Sequence, residues 1–452
     1  MRRRRNKFKE AILMKYDAII IGFGQGANAL VQGLTEKDWK VAIIEKDAER
    51  YGGSCINIGC IPTKILEHDA RNGVDYVKAV ERRNKVTSDK RQSQKEAVEN
   101  NDNVNLYTGT ACFVDNYRVK VETSDEVVEL TSDHIMISTG SEPVMPPIDG
   151  LDDTENVYTS TILQQQKELP KSLGIMGGGY IGLEFASIYS AFGSKVTMID
   201  TNDTFMEGKE PEVASEVKRV LEEKGITIHN GTSISKVEND GNQVLATTDS
   251  GEEFAFDALL VATGRKPHTS SLNLDNTDIE LNEKEGIQVN TRLQTSVKGV
   301  YAFGDVKGEE QFTYITLEDA KVILSDLLEN DEKTLEQREN VPYSIFMDPS
   351  FAQVGLTEQQ AKDEGYEILT NTTAVADTVR SAVIDDERGL YKAVVDKNTE
   401  KILGVTLFGD QAHELVNYAK LAMDEELSYT VLRDKMITHP VMMEIFNTLF
   451  MM

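Results

Sequence analysis

Short unbroken apolar runs punctuate the chain, and most of them end at a glycine. Ala18-Ile19-Ile20-Ile21 precedes Gly22, and residues 134–138 lead into Thr139-Gly140. Leu173-Gly174-Ile175-Met176 precedes Gly177, residues 258–262 lead into Thr263-Gly264-Arg265, and Val300-Tyr301-Ala302-Phe303 precedes Gly304-Asp305. Runs this short, apolar at every position instead of alternate ones, mark strands covered on both faces, as in a parallel sheet. Residues 40–45 and 195–199 read the same way; the first ends on Glu45 and the second is followed by Asp200. Helical segments follow the glycines, to about Leu34 in the first case and over residues 183–192 in the second. Residues 66–100 are rich in charge with only Gly73 as a breaker, which predicts long exposed helices, and residues 104–130 read as a β-meander. The proline-bearing stretches 143–147 and 264–267 read as linkers. From Val341 the texture changes to short strands (344–347, 391–395, 402–408) and a helix from His413 to Met423, with no glycine-rich loop. The pattern predicts an α/β protein with two Rossmann-like dinucleotide-binding domains and an α+β C-terminal domain.

Two of the strand–glycine–helix units carry a specific chemistry. Gly22-Phe23-Gly24-Gln25-Gly26-Ala27 is the dinucleotide fingerprint in its alanine-ending form, and Glu45 closes the next strand. Glycines let the backbone approach a diphosphate at the helix N-terminus, and the acid takes a ribose hydroxyl. Gly177-Gly178-Gly179-Tyr180-Ile181-Gly182 repeats the pattern, and Asp200 follows at the same separation as Glu45 from Gly22. One such motif alone is weak; the recurrence at equal spacing implies two dinucleotide sites.

Between these units lies Gly52-Gly53-Ser54-Cys55-Ile56-Asn57-Ile58-Gly59-Cys60-Ile61-Pro62-Thr63-Lys64, with two of the three cysteines. On a straight helix this spacing separates the Cα atoms by roughly 7.5 Å along the axis, beyond the reach of a disulfide, about 7 Å. A bond between them requires an irregular backbone, for which Gly59 and Pro62 are suited. A labile, accessible disulfide would be redox-active; two buried thiols that never meet is the alternative. A zinc site lacks a second cysteine or cysteine–histidine cluster to complete four ligands, so no metal is expected. Cys112 falls in the meander and reads as a packed residue.

Composition narrows the setting. The 452 residues suffice for about three domains, and a net charge of −28 argues against nucleic acid or an anionic membrane as partner. So few cysteines form no disulfide scaffold, which fits the reducing cytoplasm. No apolar run is long enough to span a membrane. Residues 1–13, with Arg2 to Arg5, lack a signal peptide's apolar core and read as a disordered basic tail, with Met14 an alternative start.

Together these features resemble the flavin-dependent pyridine-nucleotide disulfide reductases, the group that includes glutathione reductase, dihydrolipoamide dehydrogenase and mercuric reductase. The resemblance runs from about residue 15 to the end. It is nearest to the bacterial reactive-chlorine-resistance flavoproteins, also described as hypothiocyanous acid reductases. It is carried by residues 51–64, Gln311-Phe312-Thr313-Tyr314-Ile315, Asn340-Val341-Pro342-Tyr343-Ser344, and His439-Pro440 followed by Glu444, Asn447 and Leu449-Phe450. It implies a first FAD-binding segment over 14–147, a nicotinamide-nucleotide domain over 148–270, a return to the central region over 271–340 and a dimerisation domain over 341–452.

The resemblance also implies roles. Gly22, Gly24 and Glu45 would hold the adenosine half of FAD, with Gln25, Gly26, Ala27, Lys46, Gly53, Ser54, Thr139, Gly140, Gly304 and Asp305 completing the flavin site. Gly177, Gly179, Tyr180, Ile181, Gly182, Asp200 and Gly264 would serve the nicotinamide nucleotide. Cys60 would face the flavin and Cys55 would meet substrate, the two forming a redox disulfide. Lys64 and Glu184 would form an ion pair near the flavin ring. His439, oriented by Glu444, would act as acid–base from the other subunit of a homodimer.

The expected reaction is reduction of hypothiocyanous acid by NADH, with NADPH disfavoured because Asp200 repels a 2′-phosphate and residues 201–206 offer no arginine. Rival readings each miss a feature. Mercuric reductases deliver mercury through a C-terminal cysteine pair, and no cysteine follows Cys112; copper(II) reduction remains open. Glutathione reductases carry arginines after the second nucleotide strand. Dihydrolipoamide dehydrogenases carry a further histidine where Ile437 stands. A redox sensor without turnover is the reading from another class; it would take up electrons once and stop.

Overall fold

The computed structural model describes residues 13–328 and 333–452; the basic stretch of the N-terminal tail lies outside them. Leu13, placed in that tail by the sequence pattern, instead opens the strand Leu13–Lys15, which pairs with Val127–Thr131. The chain divides into two compact units.

The first unit comprises residues up to 62, 84–144 and 265–337. Its centre is an eight-stranded sheet whose order runs Leu13–Lys15, Val127–Thr131, Arg118–Thr123, Val104–Asp115, Val41–Glu45, Ala18–Ile21, Ile135–Ile137 and Val300–Ala302. The apolar runs form the parallel part, with Ala18–Ile21 between Val41–Glu45 and Ile135–Ile137. Val104–Asp115 is parallel to Val41–Glu45 at its start and antiparallel to Arg118–Thr123 further on, joining nucleotide sheet and meander in one strand.

Side-chain alternation sends Ile19, Ile21, Ile135 and Ile137 into one core and Ala18, Ile20, Ile43 and Met136 into another. Both faces are therefore covered, and each buried isoleucine contributes about 1.5–3 kcal/mol. The helix Gln25–Thr35 lies against Thr313–Leu327 at close range: a Cβ on Gly26 would stand 2.7 Å from the Thr316 side chain, and one on Gly33 2.7 Å from Leu324. The helices expected over 66–100 are Cys60–Arg71 and Tyr76–Glu99, with a break around Gly73.

The second unit comprises residues 63–83, 145–264 and 338–452. It holds a parallel sheet in the order Thr227–His229, Lys195–Ile199, Ser172–Met176, Ala258–Val261 and Val157–Thr159. A three-stranded antiparallel layer, Ile234–Asp240, Gln243–Thr248 and Glu253–Phe256, packs through Val237, Val244, Ala246 and Phe256. The C-terminal part is an antiparallel sheet in the order Tyr343–Ile345, Ser350–Gly355, Ile402–Gly409, Leu390–Asp396 and Ile368–Ala374, covered by the helix Ala412–Asp424.

Of the two stretches read as linkers, the first contributes only Pro143 to regular structure, and the second contributes residues 265–267. Ser141–Pro143 and Arg265–Pro267 pair as an antiparallel two-stranded ladder within the first unit.

Candidate active site

In the first unit the strand Ala18–Ile21 runs into Gly22, whose φ of 104° is open only to glycine and whose Cα abuts the Ser138 carbonyl. Gly24 then begins the helix Gln25–Thr35. Glu45, at the end of the neighbouring strand, accepts the Phe23 and Asp47 N–H groups, each at 3.1 Å, and burial pushes its carboxyl above the usual range. Gln25 Nε2 donates to the Gly52 carbonyl at 3.0 Å, and a Cβ on Gly53 would meet Gly24 Cα at 2.7 Å. The nucleotide loop and the glycines before the cysteines are thus in contact. Gly26 and Ala27 face the protein interior.

The loop's surroundings are polar. Lys46 Nζ lies 3.4 Å from His268 Nε2, and Thr139 Oγ1 donates to the His268 carbonyl at 2.7 Å. Gly304 N–H donates to Asp319 Oδ2 at 2.8 Å. Asp305 is half-buried; desolvation raises its carboxyl, and it accepts Ser141 Oγ–H at 2.8 Å. Arg265 donates to Ser141 Oγ at 2.9 Å and to its carbonyl at 2.6 Å. Arg265 escaped sequence reasoning because it sits in a stretch that looked like a plain linker, and Ser141 because it follows the glycine turn with no pattern of its own.

These residues fit a flavin dinucleotide. Where side chains at Gly24 and Gly140 would stand there is open space, and Arg50 Nη1 is buried with no hydrogen-bond partner among the described residues. Backbone amides at a helix start to donate, an acid to accept from a ribose and room beside the glycines are what a dinucleotide needs.

The cysteines follow at once. Ser54 and Cys55 lie on the single-turn helix Gly53–Asn57. Asn57 Nδ2 closes that turn by donating to the Tyr51 and Gly53 carbonyls, both at 2.9 Å. Ile58 leaves helical geometry at φ −142°, and the Ile58 and Gly59 N–H groups both return to the Ser54 carbonyl, at 2.9 and 2.7 Å. Cys60 then opens the helix Cys60–Arg71. This is the irregular backbone that the spacing requires. Cys60 Sγ lies 3.4 Å from Thr313 Oγ1, the first residue of Thr313–Leu327. Thr313 stands in one of the segments that carried the resemblance, but its contact with sulfur was not legible there.

The second unit holds the remaining candidates. Lys64 Nζ donates to both Glu184 oxygens, at 2.7 and 2.8 Å, so the expected ion pair is formed. Glu184 Oε1 also accepts the Phe346 N–H at 3.0 Å, and the Phe346 ring lies 4.4 Å from the same ammonium. Phe346 carried no signal beyond being apolar.

At the second glycine loop, Gly177 has φ 107°, Gly179 begins the helix Tyr180–Phe192, and Gly182 abuts the Gly177 carbonyl. Ile181 packs against the core of this unit. Asp200 lies with its carboxylate against Gly178, and Gly264 has φ 122° with open space at its Cα. The Tyr180 ring stacks on Tyr343 at 5.1 Å, with Lys209 Nζ 4.5 Å from the Tyr343 ring; burial lowers the Lys209 pKa.

His439 Nδ1 lies 2.9 Å from Glu444 Oε1, and Glu444 Oε2 accepts the Val441 N–H at 2.9 Å. The histidine bond, then the backbone one, hold the Glu444 carboxyl below its usual range. The His439 side chain is 62% exposed. With Nδ1 committed, Nε2 is the nitrogen left to exchange a proton.

Fold and sites together define a dinucleotide-dependent disulfide oxidoreductase. Residues 16–322 match the model for the pyridine nucleotide-disulphide oxidoreductases, and residues 341–450 match that family's dimerisation domain. The chain belongs to this family, whose members work with a flavin and a nicotinamide nucleotide. It is 41% identical over 436 residues to the probable pyridine nucleotide-disulfide oxidoreductase RclA of Escherichia coli, covering 96% of this chain and 99% of that one. The mercuric reductase of Lysinibacillus sphaericus is 32% identical, over 95% of this chain and 81% of its own. A solved structure of the Escherichia coli protein, described as the Cu(II) complex of the HOCl-induced flavoprotein disulfide reductase RclA, superposes with a TM-score of 0.95 at 41% identity, over 97% and 99% of the two chains. The chain is accordingly a flavoprotein disulfide reductase of the RclA type. No helix among the described residues is long and apolar enough to cross a membrane.

Proposed function

We propose that this enzyme uses NADH to reduce hypothiocyanous acid to thiocyanate through Cys55 and Cys60. The observation that carries the reading is the reversal at Ile58-Gly59, which presents two half-buried cysteines from consecutive helices beside a dinucleotide loop. Bound FAD supplies the passage of two electrons from the nicotinamide to the cysteine pair.

With both cysteines reduced, the Cys55 thiolate attacks the electrophilic sulfur of hypothiocyanous acid. A Cys55–S–SCN bond forms and hydroxide leaves, taking a proton to become water; His439 is the donor this reading assigns. Cys60 then attacks Cys55 Sγ, the Cys55–Cys60 disulfide forms, and thiocyanate departs with the electron pair of the broken bond. Thr313 Oγ1–H is placed to stabilise the Cys60 thiolate. Glu444 fixes the imidazole, and Lys64, held by Glu184 and Phe346, adds a fixed positive charge.

The test is a steady-state panel with NADH and hypothiocyanous acid, oxidised glutathione, lipoamide, Hg(II) or Cu(II). Hypothiocyanous acid should give the highest kcat/KM, and Cys55→Ser should lower turnover at least a thousandfold. NADH consumption by Cys55→Ser at the wild-type rate would refute the scheme. Copper(II) reduction is the second reading, favoured by the Cu(II) complex of the similar Escherichia coli protein and by the affinity of thiolates for Cu(I). It prevails if Cu(II) leads the panel.

A further inference from the structure

One guanidinium beside the first nucleotide loop has no role in this scheme. Arg50 ends the 3-10 turn Ala48–Arg50, between Glu45 and the Gly52-Gly53 pair that touches Gly24. Its Nε lies 3.5 Å from Asp47 Oδ2, a loose pairing at the edge of interaction. Its Nη1 is sealed from water with no hydrogen-bond partner among the described residues. Leaving a charged donor buried and unmatched is costly, so such a group in a native fold calls for a partner.

The neighbourhood explains why protein groups do not supply one. Arg265 is mostly buried and spends its guanidinium on Ser141. Burial depresses the Arg265 pKa, Asp305 and Glu142 oppose that, and the charge of Arg50 adds to the depression, so the two cations feel each other. Asp305 is hydrogen-bonded by Ser141, and Glu45 is occupied by two backbone N–H groups. The Nη1 end of Arg50 thus carries charge that no acceptor among the described residues meets, close to the Gly52-Gly53 pair that touches Gly24. A ligand carrying two adjacent negative charges would balance it, and a planar guanidinium suits phosphate oxygens.

We propose that Arg50 is a binding residue for the diphosphate of the flavin dinucleotide, its Nη1 donating to a phosphate oxygen while Nε stays with Asp47. The assignment rests on the reading that the first glycine loop takes FAD. Neither the fingerprint nor the resemblance assigns Arg50, since it stands outside the glycine motif and five residues before Cys55.

The experiment uses the purified holoenzyme and follows flavin release by the rise of flavin fluorescence on dilution, alongside circular dichroism of the fold. Arg50→Met should release FAD roughly tenfold to a hundredfold faster, the loss expected for one charge-assisted hydrogen bond. Arg50→Lys should fall between the two. Added FAD should return bound flavin to the wild-type level, and the dissociation constant should rise by the same factor as release while the circular dichroism stays unchanged, which a merely structural role would not give. Release from Arg50→Met at the wild-type rate would overturn the assignment while leaving the flavin reading intact. Wild-type protein that holds no flavin and takes none up would instead overturn that reading. Should Arg50→Met fail to fold, Asp47→Asn carries the test: it keeps the turn and loosens the carboxylate that orients the Arg50 guanidinium, so release should quicken, and unchanged release would count against the proposal.

Discussion

The Thr313 hydroxyl lies 3.4 Å from the sulfur of Cys60 and sits at the first position of a helix. A hydroxyl donor at a helix start stabilises negative charge on a neighbouring sulfur. Thr313→Val keeps the shape and removes the donor, so alkylation of the reduced enzyme should require higher pH and kcat should fall about tenfold. An unshifted alkylation profile would deny the hydroxyl this role. Asp200 allows a second residue-scale prediction. Its carboxylate lies against Gly178, where the diphosphate-facing loop turns, so a 2′-phosphate nearby would meet like charge. NADH should exceed NADPH in kcat/KM by at least tenfold, and Asp200→Asn should narrow that ratio; equal values in the wild-type enzyme would contradict the reading. Both acids of the repeated pattern were legible, because each ends a strand at one fixed distance from its glycines. Thr313, Phe346 and Arg265 were not, because their contacts join residues far apart in sequence.

The same division holds for whole elements. Every run read as a buried strand is one, because consecutive apolar residues have no stable place except a sheet covered on both faces. Ser350–Gly355 went unseen because it is buried at nearly every position while carrying Ser350 and Gln353, whose amide oxygen accepts the Tyr343 hydroxyl at 2.5 Å. Ile368–Ala374 went unseen because it is an edge strand of mostly polar residues. Pro143 and Pro267 disguised the ends of a ladder of three residue pairs as linkers. The helix that begins at Cys60 ends at Arg71, whose guanidinium reaches Asp410 at 2.8 Å and Asp348 at 3.5 Å. Arg388 holds Asp348 with two contacts at 3.2 Å, and Lys224 approaches to 2.6 Å. Burial alone would raise the Asp348 carboxyl; Lys224 and Arg388 outweigh it and the pKa falls. Burial nonetheless lowers Lys224, so Arg388, whose own pKa is raised, is the firmer partner. A depressed carboxylate stabilises fully above its unfolded value, about 3.9, and loses that contribution as pH falls through the folded value. Asp348→Asn should cost about 3 kcal/mol at neutral pH by stranding its cations. The gap in melting temperature from wild type should stay constant above about pH 5 and close in stronger acid; a gap that widens there would contradict the sign.

At the scale of the whole molecule, the C-terminal region leaves the His439 imidazole at the surface. His439 and Glu444 are joined, yet the imidazole is largely exposed. The same C-terminal region exposes Tyr418, Leu421, Val431 and Met436, although Leu415, Val416 and Ala419 of the same helix are buried. An apolar face of this kind, on a segment matching the family's dimerisation domain, is the surface a second copy would cover. If the histidine serves the cysteines of the other subunit, two inactive variants should rescue each other. Co-expressed Cys55→Ser and His439→Ala chains would pair at random, and in each mixed dimer one site would join an intact cysteine pair to an intact histidine. About a quarter of wild-type turnover should return, since half the dimers are mixed and half their sites are whole. If each histidine serves its own subunit, every site in the mixture is broken and turnover stays at the level of the separate variants. Leu421→Asp provides the complementary reading: it should yield monomers with intact circular dichroism, and their loss of turnover should match that of His439→Ala instead of adding to it.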